Sequence, residues 1–251
     1  MDAVGYYYTK SENIELVVTR GQARCYPWHM HTRHWIIGVI EHGAVCLTTR
    51  DARRWLCQGQ YFCIPPHEPH SLNVEPESSL FVTCFDQQGA SLLESSSESL
   101  FRHIPGLRTK EIRGVAESIA TCSPLDFSGS RDNGSLASTR SPSESAVREI
   151  TRLLLADPAD SFDIEQMAAH AGYSPWHFLR SFRKVTGMTP HSFQLLCRLR
   201  LLRALLRADT TAVEAAVSAG FADQSHMHKV FKHHHGMTPN EFKRASVRLE
   251  L

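Results

Sequence analysis

Two groups of basic side chains recur at helical spacing near the C-terminal end of this 251-residue chain. Arg180 and Arg183 follow Trp176 at intervals of four and three residues, and Lys229 and Lys232 repeat the spacing of the two arginines. Residues three or four positions apart share one face of an α-helix. Because arginine and lysine donate hydrogen bonds to guanine edges and neutralise phosphate, this spacing indicates nucleic-acid recognition.

Further hydrogen-bonding side chains flank these cations. Glutamine pairs with adenine, and histidine can donate to guanine or phosphate. The candidate DNA contacts are Trp176, His177, Arg180, Arg183, Lys184, Gln224, Ser225, His226, Lys229 and Lys232. The charge balance agrees, since residues 146–251 carry 14 Lys and Arg against 10 Asp and Glu, while the whole chain has a formal charge of +1.

The basic groups lie in two copies of one sequence unit, residues 168–193 and 216–242. Four landmarks recur 49 positions apart: Phe182 and Phe231, Gly187 and Gly236, Pro190 and Pro239, and Phe193 and Phe242. Each copy has a short Ala-rich helix, a turn at Gly172 or Gly220, and a second helix with the basic face. This order predicts two helix-turn-helix units. A helical bundle with a merely solvated charged face is the alternative, which the aligned basic positions disfavour.

Capping residues, glycines and prolines set the predicted helix boundaries. The predicted helices run from Asp163 to Ala171, Pro175 to Val185, Phe193 to Arg207, Thr211 to Ala219 and Asp223 to His233. Asp163 and Thr211 have the capping pattern, because Gln166 and Glu214 follow them three residues later. The helix from Phe193 is a stiff connector, through which the two basic helices can enter successive major grooves about 34 Å apart.

The first half of the chain has a different pattern. Between residues 14 and 86, short apolar runs such as Ile36–Ile40 and Leu80–Phe85 are bounded by Gly, Pro and charged turns, which predicts a β-sandwich or barrel. Residues 108–120 have helical spacing and are candidates for packing on this barrel or on a second subunit. Residues 121–145, rich in Ser, Gly, Pro, Asn and Asp, predict a flexible linker.

Residues 146–246 resemble the DNA-binding domain of the AraC-type transcription regulators. The resemblance rests on Gly220-Phe221-Ala222-Asp223-Gln224-Ser225-His226, then Phe231-Lys232, Gly236-Met237-Thr238-Pro239 and Phe242, and on Arg200, Ala204, Leu205 and Leu206 in the connector. It implies base or backbone contacts by Trp176, His177 and Arg180 in the first copy, and by Ser225, His226 and Lys229 in the second. Met227 stands where the family usually has Phe, a core exchange of similar volume.

Two stretches of the first half, Pro27–His31 and Gly59–Asn73, resemble the short motifs of the cupin barrel, which AraC-type regulators use as an effector-binding domain. His29 and His31, two apart on a predicted strand, are expected to point into the barrel. His70 stands where the second cupin motif places another metal-binding histidine. Three imidazoles suit Zn²⁺, Fe²⁺ or Ni²⁺.

Departures from the cupin motifs keep three interpretations of these histidines open. Trp35 and Ile36 occupy the places of a usual Glu, and His67 replaces a usual Gly. The histidines hold a metal, or line a metal-free pocket in which Arg33 binds a carboxylate and Trp35 an apolar group, or are structural. A metal-bound cupin enzyme, such as a dioxygenase or an isomerase, is the competing class of protein, and the missing carboxylate disfavours it.

The predicted protein is therefore an α+β chain of two domains. A cupin-like jelly-roll barrel with a short helical segment at its end occupies residues 1–120, the linker residues 121–145, and an all-α double helix-turn-helix domain residues 146–251. It is expected to regulate transcription rather than to catalyse a reaction. The expected partners are promoter DNA, a small-molecule or metal effector, RNA polymerase, and a second copy of the chain that pairs through residues 100–120.

The sequence also predicts where the protein works. Its longest apolar run, of about six residues around Ile36–Ile40, is far shorter than a membrane-spanning helix. The N-terminus has no basic-then-apolar signal peptide. The protein is accordingly expected in the cytoplasm, with no membrane partner.

Overall fold

The computed structural model describes residues 4–9, 13–91, 93 and 142–249. Contacts within the chain divide it into two units, one built mainly of strands and one mainly of helices. The helical segment predicted at 108–120 and residues 121–141 of the predicted linker lie outside the described residues. Residues 142–145, which the sequence analysis placed in the linker, instead form the start of a helix.

The described residues form ten strands in two sheets, which make up most of the β unit. They are β1 (Val4–Thr9), β2 (Ile14–Arg20), β3 (Arg24–His29), β4 (Trp35–His42), β5 (Ala44–Thr49), β6 (Arg53–Cys57), β7 (Tyr61–Ile64), β8 (His70–Val74), β9 (Ser79–Phe85) and β10 (Ser246–Leu249). The first sheet has the order β10-β1-β2-β9-β4-β7, and the second has the order β3-β8-β5-β6. Two sheets of short strands are the architecture that the turn-bounded apolar runs predict.

Alternation along the strands builds the core of the β unit. In β2, Ile14, Leu16 and Val18 are buried at every second position, as expected where one sheet face meets the core. These side chains form one cluster with Phe81 and Phe85 of β9. β2 and β9 pair antiparallel over their whole length, from Ile14 opposite Phe85 to Arg20 opposite Ser79.

The last strand corrects the predicted domain boundary. The sequence analysis placed residues 146–251 together in the helical domain, whereas residues from Arg244 onward group with the β unit. β10 pairs in parallel with β1, from Tyr6 opposite Ser246 to Thr9 opposite Leu249. Leu249 also joins the core cluster around β2 and β9. A four-residue strand directly after a helix is too short to show a period of its own.

The helical unit contains seven described helices. They are α1 (Pro142–Ala156), α2 (Ile164–His170), α3 (Pro175–Thr186), α4 (Pro190–Arg207), α5 (Ala212–Ser218), α6 (Gln224–His235) and α7 (Pro239–Ala245). The five helices predicted from the sequence are all present, and most of their ends lie within two residues of the predicted positions. The connector differs most, because α4 begins at Pro190 rather than at Phe193. Among the described helices, none combines the length and the apolar composition that a membrane crossing needs.

Capping side chains begin these helices as the sequence predicts. The carboxylate of Asp163 accepts a hydrogen bond from the Gln166 backbone N–H at 2.6 Å. Thr211 and Glu214 form a complete capping box at the start of α5. Such caps satisfy backbone N–H groups that have no partner within the helix.

Each repeat has its own aromatic core. In the first copy Phe182 meets Phe178 and Phe193 edge to face, with ring centroids 5.6 and 5.8 Å apart. In the second copy Phe231 meets Phe242 at 5.5 Å in the same way. All five rings are almost fully buried. The landmarks of the sequence repeat are therefore the residues that pack each helix-turn-helix unit.

The two turns are matched in conformation. Gly172 has φ +72° and Gly220 has φ +78°, the left-handed region that favours glycine. After each glycine the chain bonds back to the preceding helix, from the Tyr173 N–H to the Ala168 oxygen at 2.9 Å and from the Phe221 N–H to the Ala216 oxygen at 3.0 Å. This shared turn gives both copies the same helix-turn-helix geometry.

Candidate functional site

All ten predicted DNA contacts lie on α3 and α6, and all ten side chains are exposed. Each helix is the second helix of its helix-turn-helix unit, the element that reads the major groove in such motifs. We call these two helices the recognition helices. The structure thus places the whole predicted set on two equivalent surfaces of the repeat.

The recognition helix α3 is held in place by its buried face. Ser174 caps its start, and Pro175 occupies its first turn. Phe178 and Phe182 are fully buried, four residues apart, so the opposite side of the helix must face solvent. Trp176 is 68% exposed, which is unusual for tryptophan and leaves most of its ring available to a partner.

Arg180 is partly ordered by its neighbour on the exposed face of α3. Its guanidinium carbon lies 5.4 Å from the centre of the Trp176 ring, in a cation–π arrangement. One turn earlier, the rings of Tyr173 and His177 are in contact, with centroids 4.5 Å apart and an angle of 32° between their planes. These contacts restrict the side chains before any partner binds, which lowers the entropy cost of recognition.

The recognition helix α6 repeats this construction. The Asp223 carboxylate accepts a hydrogen bond from the His226 backbone N–H at 2.7 Å, which caps the helix. Met227 and Phe231 are fully buried, so Met227 fills the core position where the family usually has Phe. Lys229 and Lys232 are exposed.

Both recognition helices are free of acidic residues in their first turns, and both carry cations in their last turns. The N-terminal end of a helix attracts anions through its unpaired N–H groups and its dipole. A negatively charged partner therefore meets favourable electrostatics at both ends of α3 and at the last turn of α6, whereas the Asp223 carboxylate occupies the start of α6.

The predicted histidine cluster is also assembled. His29 ends β3, His70 begins the neighbouring strand β8, and His31 lies in the loop after β3. One ligand atom from each of the three lies within 4.8 Å of the other two. The prediction that His29 and His31 share a strand is wrong, because β3 ends at His29 and the loop turns His31 toward the ring of His70. Those two rings stack at 5.8 Å with an angle of 16° between their planes.

Backbone carbonyls orient two of these imidazoles. Nδ1 of His29 lies 2.7 Å from the Pro27 oxygen, and Nδ1 of His70 lies 2.9 Å from the Glu68 oxygen. An imidazole that donates from Nδ1 carries its lone pair on Nε2, the form that binds a metal ion. Burial lowers the pKa of His70, and the bond to Glu68 opposes this shift only in part. The neutral imidazole is therefore the favoured form of His70.

Arg33 and Trp35 each have a position and a partner outside the histidine cluster. Arg33 forms an ion pair with Asp86, so a carboxylate effector would have to compete with this partner. Trp35 is the first residue of β4 and packs against the core cluster of the β unit. A loop separates β3 from β4, so Arg33 and Trp35 do not lie on one strand with His29.

Asp86 is a residue of this region that the sequence analysis missed. Burial raises the pKa of its carboxyl, but the Gly89 backbone N–H at 2.9 Å and the Arg33 guanidinium outweigh burial and lower it. A single acidic residue after a strand shows no period or motif. Its partner Arg33 is 53 positions away in the sequence, so only the fold brings the two together.

Comparison with known families identifies both units. An AraC-like ligand binding domain matches residues 13–154, and a helix-turn-helix domain matches residues 167–245. The β unit and the paired recognition helices thus define a DNA-binding regulator with an N-terminal ligand-binding domain. The chain belongs to the AraC-type transcription regulators.

Individual relatives agree with this assignment. The chain is 26% identical over 246 residues to YbfI, an uncharacterized HTH-type transcriptional regulator of Bacillus subtilis, and the match covers 86% of each protein. It is 32% identical over 88 residues to the regulator MtrA of Neisseria gonorrhoeae, covering 35% of this chain and 29% of MtrA. Ada of Escherichia coli, a bifunctional transcriptional activator and DNA repair enzyme, is 33% identical over 88 residues, covering 35% of this chain and 25% of Ada.

A solved structure shares the two-domain layout. ToxT from Vibrio cholerae O395 superposes with a TM-score of 0.59 at 13% identity, covering 93% of this chain and 98% of ToxT. At this identity the likeness shows the fold alone. It supports the assignment of a β-rich unit followed by a helical unit.

Proposed function

We propose that α3 and α6 read two neighbouring major-groove segments of promoter DNA, and that an effector bound in the β unit controls this reading. The observation that carries the proposal is the repeated exposed basic face. Arg180 and Arg183 on α3 match Lys229 and Lys232 on α6, each pair opposite a buried aromatic core. Two equivalent helices joined by the connector α4 suit two consecutive turns of DNA.

Each side chain takes one of two roles in this proposal. Arg180 and Lys229, in the middle of their helices, contact base edges, and Trp176, His177, Gln224, Ser225 and His226 contact bases or the sugar-phosphate backbone near the helix starts. Arg183, Lys184 and Lys232, near the helix ends, bind phosphates. Base contacts discriminate between sequences, whereas phosphate contacts position the protein on any sequence.

Replacing Arg180 by Ala tests the assigned face. We expect binding to a duplex selected from a random library to weaken by about 1–3 kcal/mol, while binding to random duplex changes little. Fluorescence anisotropy at fixed salt measures both. Arg152→Ala is the matched control, because Arg152 is an exposed arginine that is paired with Glu149 and lies on neither recognition helix. Equal losses on both DNAs would make Arg180 a phosphate contact, and no loss would overturn the assigned face of α3.

The effector is either a small organic molecule or a divalent transition metal, and the histidine cluster is the observation that favours the metal as a candidate. The clustered ligand atoms of His29, His31 and His70 fit three-imidazole ligation of Zn²⁺, Fe²⁺ or Ni²⁺, and two of the rings are already oriented through Nδ1. We propose sensing rather than catalysis for this site. The three imidazoles lack the usual cupin carboxylate, and the relatives compared above are transcription regulators.

Metal analysis distinguishes the two kinds of effector. Protein purified without an affinity tag or chelator is compared with the double variant His29→Ala/His31→Ala. Near-stoichiometric metal in the parent and none in the variant, with a Zn²⁺-dependent rise in melting temperature only in the parent, supports the metal sensor. No metal and no Zn²⁺ response in the parent leaves an organic effector, for which small acids and amines are then screened by thermal shift.

We also propose that the protein acts in the cytoplasm as a homodimer and engages RNA polymerase at its promoters. Reading DNA requires the compartment that holds DNA, and the family is one of transcription regulators. The modest positive charge of residues 146–251 favours pairing of subunits as a route to high affinity. Residues 100–120, the predicted pairing segment, lie outside the described residues.

A further inference from the structure

The loop between α1 and α2, residues 157–161, is fastened to the connector helix α4. Gln194 donates from Nε2 to the Asp160 oxygen at 2.6 Å. Arg198, one turn further along α4, donates from Nε to the Pro158 oxygen at 2.9 Å and from its terminal nitrogen to the Asp160 oxygen at 3.2 Å. The two carbonyls that flank Ala159 are therefore both held by side chains of α4.

Ala159 in turn touches the second helix-turn-helix unit. A Cβ atom built on Gly220 would lie 2.7 Å from the Ala159 Cα and 2.8 Å from its oxygen, which is too close for any side chain. A Cβ atom on Gly172 would meet nothing within 4 Å. The two glycines share a turn conformation, but only Gly220 is also required by close contact with another backbone.

The second copy fastens its equivalent loop differently. Lys243 is the counterpart of Gln194, since each follows the last core phenylalanine of its copy. Lys243 pairs at 3.0 Å with Asp209, whose side chain is 92% exposed, in the loop before α5. Gln194, by contrast, is 6% exposed and bonds to backbone. An exposed ion pair contributes little, so the buried arrangement of the first copy is the firmer of the two.

These contacts attach the second helix-turn-helix unit to the first at two points. One is the connector itself, which passes into α5 through the short turn after Arg207, where Asp209 has φ +65°. The other is the contact from α4 through residues 157–161 to Gly220. A single turn allows rotation of α5 and α6 about it, and a second contact across that turn opposes the rotation.

We propose that the 157–161 loop, held by Gln194 and Arg198 against Gly220, sets the spacing between half-sites that the protein accepts on DNA. The inference rests on the proposed reading of DNA by both recognition helices. A pair of helices fixed relative to each other binds the matching spacing with little entropy cost and rejects other spacings. Gln194, Arg198 and Gly220 are positioning residues in this account, because none of them lies on a recognition helix.

The test uses full-length protein and a duplex selected by it from a random library. Arg180→Ala and Lys229→Ala locate the half-site of each recognition helix, and one base pair is then added or removed between the half-sites. We expect the parent to lose at least tenfold in affinity on either change. Gly220→Ala, and separately Gln194→Leu/Arg198→Met, should reduce this spacing penalty at least threefold. Gly172→Ala, which has the same turn strain without the contact, should keep the parent's penalty.

The outcomes separate this inference from the function on which it rests. Unchanged spacing penalties in Gly220→Ala and in the double variant overturn the role of the loop, although the DNA-binding function stands. If Gly220→Ala does not fold, the penalty of the double variant decides alone. A reduced penalty in Gly172→Ala as well would assign the effect to turn strain and overturn the inference. A selection that enriches no sequence overturns the proposed function itself.

Discussion

At the scale of single residues, Asp86 stabilises the β unit through its ion pair with Arg33. The Asp86 side chain is 11% exposed, and it accepts from both Arg33 and the Gly89 backbone N–H. Burial alone would make its charge costly, but these two donors hold its pKa below the ordinary value. Asp86 therefore anchors the end of β9 to the loop after β3.

Replacing Asp86 by Asn is expected to destabilise the protein by about 1 kcal/mol at neutral pH, a figure kept low because Arg33 is half-exposed. A carboxyl whose pKa is lowered by folding adds stability above its ordinary pKa of about 4, and this contribution is lost as the pH falls through the lower folded value. The difference between parent and variant should thus be present at neutral pH and fade in acid.

Urea unfolding at several pH values measures this difference, with Asp51→Asn in the exposed turn after β5 as the control. A difference between the parent and Asp86→Asn that stays constant down to acid pH would show that the carboxylate charge is not what stabilises the loop.

At the scale of single elements, the helix caps connect stability with recognition. α6 is a twelve-residue helix that carries half of the proposed interface, and Asp223 caps its start through the His226 N–H. An isolated helix of this length is marginal in water, so its cap and its buried face must both contribute. Because Gln224, Ser225 and His226 form the first turn of α6, the cap that orders this turn also orders these three residues.

Asp223→Ala should lower the free energy of unfolding by about 1 kcal/mol and weaken binding to the selected duplex, because the cap is lost and the first turn frays. Asp223→Asn should behave like the parent, since asparagine caps as well as aspartate does. Thermal melts and anisotropy titrations on both variants check this. Equal losses in the two variants would assign the effect to the aspartate charge rather than to capping.

The helices could be predicted from the sequence because their signals are local. Asp163, Thr211 and Asp223 cap the helices they precede, and the core phenylalanines repeat at a fixed interval. The strand β10 could not be predicted in this way, since four residues have no measurable period. The position of His31 in a loop could not be predicted either, because nothing in the sequence marks the end of β3 at His29. The contact of Gly220 with Ala159 joins residues far apart in the chain and becomes visible only in the fold.

Electrostatics act at the scale of the whole molecule. The chain is nearly neutral, but residues 146–251 carry 14 Lys and Arg against 10 Asp and Glu, and five of these cations are exposed on α3 and α6. Binding to DNA by such a protein releases counterions, so its affinity must fall as salt rises. Residues 1–145 carry 13 Lys and Arg against 16 Asp and Glu, and this negative balance limits non-specific attraction to DNA, which leaves more of the affinity to the recognition helices.

Lys184→Ala gives this expectation a measurable form. If Lys184 binds one phosphate, the slope of log affinity against log salt should become shallower by about 1, and binding to selected and random duplexes should weaken equally. Titrations between low and moderate salt measure the slope. An unchanged slope would place Lys184 outside the phosphate contacts.

The pairing of β10 with β1 makes the helical unit an insertion in the β unit rather than an appended module. The chain leaves the β unit before α1 and returns to it directly after α7. One proteolytic nick between residues 94 and 141 would therefore not release the DNA-binding half, because the returning strand still holds it. Separating the two halves requires a second cut after Ala245.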